Sequence, residues 1–420
     1  MKKSKGRHER PEEKPAARKA VKREYTSYEE APLYDDELTA TPKNFTRLFI
    51  KVLLILMLSV LAVIAFLNRE NLTADKISHW FQYDLLGKSE GNGYPVRFTG
   101  VNILSGNFSL MDQSPVYCSD TSVVVLNGNA GEYQSKQHTF ANPVLRTNDN
   151  YAIVFNLDDR SFLILDRTTV RHSDSCEQKL FDADIASNGT YGLLSYGDDF
   201  LSTLTVYKGD NTKKYGYSFA NYYVSKLSLK QDGTRAAACG VSAKNGEMIS
   251  AVYILDFEQS EYFQKHEIED AFLYDVKYLD NGNVVAVGDR SAYYIDVADN
   301  SMKEIEYGGK GLTAYCFHAK SGLELSLSAN PDGRDCEVLY LDPEGSARVI
   351  AETGEKILSI DRKSDLTAVL TVSGIIVYDS LGVKLQTIPV QADGKKICLQ
   401  DDHTLYLLGK SQITKVRLEY

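Results

Sequence analysis

After Trp80 the chain contains no tryptophan, and nowhere does it hold a Cys-x-x-Cys pair, a His-Glu-x-x-His motif or an Asp-x-Asp-x-Asp-Gly loop. Those gaps remove the sequence patterns of the common zinc and calcium sites. His79, His138, His172, His266, His318 and His403 are scattered, and Asp158-Asp159, Asp198-Asp199 and Asp401-Asp402 are adjacent pairs that read as solvated turns. No metal or cofactor is implied. A basic stripe is missing too. Residues 1–47 hold 12 basic and 9 acidic residues, and the remainder 35 basic against 48 acidic, a balance that argues against nucleic acid as a partner. Of the six cysteines, Cys239, Cys316, Cys336 and Cys398 fall in strand-like runs, where a free thiol behaves as a small buried hydrophobe. With Cys118 and Cys176 the count is even, which leaves bridges open.

What is present is a repeat. Eight short apolar runs end on a polar, usually acidic, residue: VVVLN to Asn127, FLILD to Asp166, LTVYK to Lys208, VYILD to Asp256, AYYID to Asp296, VLYLD to Asp342, IIVYD to Asp379 and ITKVR to Arg417. Successive ends lie 37 to 48 residues apart, the period of a four-stranded propeller blade. Each run reads as a third strand. Asn148-Asp149-Asn150, Asn188-Gly189, Asp232-Gly233 and Asn281-Gly282 mark the hairpins two strands earlier. The last run ends three residues before Tyr420, so its blade lacks a fourth strand of its own. The segment 94–99 (YPVRFT) has no earlier blade to join and would close the ring there, removing two sheet edges. The expectation is all-β: an eight-bladed β-propeller over 94–420, or a seven-bladed one should the first or last unit not form.

A second feature precedes it. Residues 48–67 (LFIKVLLILMLSVLAVIAFL) carry one charge, Lys51, and at about 1.5 Å per residue they match a roughly 30 Å hydrocarbon layer. Twelve basic residues precede them and only Arg69 and Lys76 follow closely, which points to a cytoplasmic N-terminus and an external propeller. A cleaved signal is the competing reading, but its apolar core and leader would both be too long. Residues 1–47 read as a disordered tail, basic and then acidic, able to meet a cytoplasmic partner. Residues 71–86 read as a short helix carrying Trp80, which with Lys51 would act as a membrane anchor, and residues 88–93 as a joint.

The segments GNGYPV (91–96), GNFSL (106–110), DTSVVVLN (120–127) and above all QHTFANPVLR (137–146) resemble a family of single-pass membrane proteins of anaerobic Gram-positive bacteria whose defining domain has no assigned function. The resemblance implies a plasma-membrane protein with an extracytoplasmic propeller and nothing about chemistry. More distantly the repeats are similar to WD40 and YVTN-type propellers, although no Trp-Asp dipeptide occurs.

Enzymes on this architecture need residues the chain lacks: tryptophan-docked blades for quinone dehydrogenases, complete Ser-x-Asp-x-Gly-x-Thr-Trp boxes for sialidases. One polar set remains, Gln137, His138, Asn142 and Arg146, near a channel mouth as a candidate binding site for sugar or peptide. A fixed turn at Asn142-Pro143 accounts for the same residues. Tyr217, Tyr222 and Tyr223 are either a binding edge or ordinary strand formers. The function expected is a non-catalytic binding or scaffolding module at the cell envelope with a protein or glycan ligand. The alternative is a channel-mouth hydrolase or lyase of wall polymers, which requires a carboxylate pair or metal cluster.

Overall fold

The computed structural model describes residues 49–59, 91–390 and 393–420, and the chain divides into two compact units, 1–73 and 74–420. In the first unit residues 49–59 form a helix, exposed throughout, that includes Lys51. Among the described residues no helix is long and apolar enough to cross a membrane. The tail, most of the expected span, the 71–86 helix and Trp80 lie outside the described residues.

The described residues of the second unit contain 32 strands, β1 to β32 in chain order, arranged as eight antiparallel four-stranded sheets. Each begins with an inner strand: β2 (Phe108–Met111), β6 (Pro143–Thr147), β10 (Leu180–Ile185), β14 (Tyr223–Leu229), β18 (Leu273–Tyr278), β22 (Gly311–His318), β26 (Ile357–Lys363) and β30 (Lys396–Asp401). These open blades 1 to 8. Blade 8 has the order β1-β32-β31-β30, in which β1 (Val96–Arg97) lies outside β32 (Gln412–Arg417), with Val96 opposite Ile413. The closing pairing is two residues long, shorter than the six-residue segment expected.

Every repeated run ends a third strand or lies one residue past its end, and the terminal polar residue has a local task. Asn127, Asp166, Asp256, Asp296, Asp342 and Asp379 each accept backbone N–H groups of the following turn through Oδ1. Asp166 takes those of Thr168 and Thr169 at 2.9 and 2.7 Å, and Asp379 those of Leu381 and Val383 at 2.9 and 2.8 Å. The acid is thus an Asx acceptor that starts the hairpin to the outer strand. Gly189, Gly233 and Gly282 take the positive φ expected of them, and a Cβ at Gly233 would also meet the Asn188 side chain at 2.6 Å. The Asn148 turn differs. Its residues keep negative φ, and Asn148 Oδ1 accepts from Asn150 N and Tyr151 N at 2.8 and 2.9 Å, so a side chain replaces the glycine.

No blade has a core of its own. Eight buried clusters each draw on two neighbouring blades; Cys239, Val252 and Ile254 of blade 4, for example, pack with Val276, Tyr278 and Val284 of blade 5. The eighth joins Tyr406 and Ile413 of blade 8 to Phe108 and Tyr117 of blade 1. Burial therefore proceeds around a circle, and the apolar faces are covered only once the circle is complete. All six cysteines are free thiols.

Candidate functional site

An inner strand is a sheet edge, and half of its backbone N–H groups point away from its partner. In the propeller these groups meet small polar side chains one blade back. Asn107 Oδ1 accepts from Leu145 N at 3.0 Å, Asp182 Oδ2 from Leu227 N at 3.1 Å and Asp184 Oδ2 from Leu229 N at 2.8 Å. Ser228 Oγ accepts from Tyr278 N at 3.1 Å, Ser359 Oγ from Ile397 N at 3.3 Å and Asp361 Oδ2 from Leu399 N at 2.6 Å. These bonds stitch blade 1 to 2, 3 to 4, 4 to 5, and 7 to 8. Burial pushes the Asp182 carboxyl above its ordinary range despite Arg146, 3.3 Å away, and burial likewise raises Asp361 despite its backbone bond.

The inner strands enclose a cavity of about 1150 Å³. Near the start of five of them the register slips by one residue, and three of the extra residues, Tyr274, Thr313 and Leu358, line the cavity. A bulge re-aims its side chain, and here it turns apolar and hydroxyl groups into the lumen. The hairpin end, where the inner strands finish, carries Asp112, Asp149, Asp280, Lys277, Lys320 and Lys363. Asp112 and Asp149 belong to blades 1 and 2, and the three lysines to blades 5, 6 and 7.

Between blades 6 and 7 Glu324 is 1% exposed. It accepts from Arg362 Nη1 at 3.2 Å and Thr367 Oγ1 at 2.5 Å, while the guanidinium lies 4.0 Å from the Tyr340 ring centre. Burial raises Glu324 to about 7 against the opposing pull of Thr367 and Arg362. This buried pair joins two blades from within their interface.

The four residues singled out from sequence do not converge. Arg146 lies in the channel, paired with Asp182. Gln137 ends the outer strand of blade 1 and is exposed. His138 stacks on Phe140 with Nδ1 accepting from Phe140 N at 3.2 Å, which leaves Nε2–H to face the Cys118 sulfur at 3.3 Å. Burial lowers the His138 pKa and raises that of Cys118 to about 12, so the contact is between two neutral groups. Asn142 serves through its backbone, donating to Asn156 Oδ1 at 2.8 Å and accepting from Leu157 N at 2.9 Å. Of the three tyrosines, Tyr222 is buried with its hydroxyl on Glu267, while Tyr217 and Tyr223 sit in aromatic clusters. Among the described residues no group of three His, Cys, Asp or Glu side chains could hold a metal ion.

Sequence reasoning missed the bridging side chains and the lysines. The signal was there, because Asp182, Asp184, Ser228, Ser359 and Asp361 are small polar residues inside otherwise apolar inner strands.

Fold and channel together define an eight-bladed β-propeller with a polar central cavity. The C-terminal WD40 domain of Sif2 superposes with a TM-score of 0.52 at 9% identity, over 78% of this chain and 99% of that one. BamB from Moraxella catarrhalis gives a TM-score of 0.49 at 11% identity, with 78% and 99% covered. At 9% identity the likeness to Sif2 speaks to fold alone. No curated protein matches the sequence. Residues 104–418 match a family of unknown function, DUF5711, and the chain belongs to that family.

Proposed function

We propose that this protein is a non-catalytic binding or scaffolding module, held in the plasma membrane by residues 48–67 with the propeller outside the cell. The observation that carries the binding half is the use made of the channel carboxylates. Asp182, Asp184 and Asp361 each hold a backbone amide of the next blade, which gives these three carboxylates a structural use in closing the ring. The cavity is of a size that takes a ligand group rather than a single ion. Support for the anchor is compositional: about 20 residues with one charge, preceded by twelve basic residues. The tail then offers a surface to cytoplasmic partners, and the propeller offers its channel to an envelope protein or glycan.

Protease treatment of intact and permeabilised cells tests the arrangement, using separate tags at the two ends of the chain. The C-terminal tag should be removed from intact cells and the N-terminal tag only after permeabilisation, with the chain retained in carbonate-washed membranes. Protection of the C-terminal tag, or release by carbonate, contradicts the proposal.

A further inference from the structure

At the hairpin end of the channel Lys277 lies on β18, Lys320 in the turn after β22 and Lys363 at the end of β26. The blade 5 and blade 6 hairpins touch directly, Asp280 N donating to Ala319 O at 2.9 Å. Among the described residues none of the three ammonium groups has an ion pair or hydrogen-bond partner, although the chain carries a net charge of -10. Unpaired like charges on a shared wall repel. Their crowding registers on His318, the last residue of β22. Burial, with Lys363, Lys320 and Lys277, lowers its pKa to about 4 against the opposite pull of Asp149. Its Nδ1 is buried with no hydrogen-bond partner. Asp280 lines the same end but pairs with none of the lysines.

We infer that this end of the channel binds a multiply charged anionic group, phosphate or clustered carboxylate, between Lys277, Lys320 and Lys363. An anion there would satisfy the three ammonium groups together. The inference rests on the reading of the channel as a binding surface and gives that surface its ligand chemistry. Asp112 and Asp149 across the lumen would repel a second anion, which orients the ligand with its charge toward blades 5 to 7.

The test is calorimetric titration of the full chain in detergent with tripolyphosphate and with citrate at low salt. At least one should bind, more weakly as salt screens the site. The Lys277→Ala/Lys320→Ala/Lys363→Ala variant should lose about 100-fold in affinity, and Lys320→Ala alone, in an exposed turn, about fivefold. A control that removes the same charge from outer strands, Lys136→Ala/Lys213→Ala/Lys384→Ala, should stay within about twofold. Binding of tripolyphosphate alone assigns phosphate, and of citrate alone carboxylate. Absence of binding by both, or equal loss in the channel and control variants, overturns the inference. Membrane orientation is read without any ligand, so the two proposals fail separately.

Discussion

Acidic and basic side chains line the same channel but the fold holds them differently. Asp182, Asp184 and Asp361 face a neighbouring blade and are hydrogen-bonded to its backbone, whereas Lys277, Lys320 and Lys363 face the lumen and are bonded to no other described residue. Edge strands explain the first group: an inner strand with unpaired amides needs acceptors, and short carboxylates one blade back supply them. No corresponding structural need explains the lysines. Groups that close the ring and groups left for a ligand can thus be told apart within one cavity.

The largest effect that would sharpen this contrast is expected at Arg362→Ala, which strands Glu324 between blades 6 and 7. The loss should be about 4 kcal/mol near pH 8 and smaller near pH 5, where the carboxyl can take up a proton, as read from urea unfolding. Next comes Asp182→Ala, which leaves Leu227 N and Arg146 without their partner and should cost about 3 kcal/mol. Asp182→Asn keeps an acceptor and should cost less than half of that. Asp182→Ala leaving stability unchanged would break the comparison.

Glu324→Gln should change the pH profile more than the midpoint. Burial raises the Glu324 pKa to about 7, above the unfolded value near 4.3, so its protonation contributes stability that is fully present below that unfolded value. That contribution is lost as pH rises through about 7. Wild-type stability should therefore fall relative to Glu324→Gln across this window, and parallel profiles would show that the carboxyl does not titrate there. Smallest is the lysine triple variant. It should unfold within about 1 kcal/mol of wild type, on the stabilising side as repulsion is relieved. A large destabilisation would mean that the lysines, too, are structural.

The ring was legible because its signals are local. A repeated apolar run ending on Asp marks the third strand and its Asx turn, and Asn-Gly or Asp-Gly marks the first hairpin, all within a few residues. The closing strand was legible by elimination, since YPVRFT had no other blade to join. The partner that each bridging side chain meets was not, because Asp184 and Leu229 lie 45 residues apart and nothing near either one announces the other. The QHTFANP segment shows the opposite failure: a polar run that reads as a site spends His138 on its own turn and the Asn142 backbone on Asn156 and Leu157. Only Arg146, from the strand that follows, reaches the channel, and there it meets an acid that sequence spacing did not connect to it.

Amide hydrogen exchange by mass spectrometry, on wild type and on the Asp184→Ala and Asp361→Ala variants, tests most directly whether one blade's carboxylates secure the next blade's backbone. Faster exchange should appear in β14 around Leu229 for the first variant and in β30 around Leu399 for the second, with the mutated strands little changed. Unaltered exchange at Leu229 and Leu399, or faster exchange confined to the blade that carries the substitution, would contradict it.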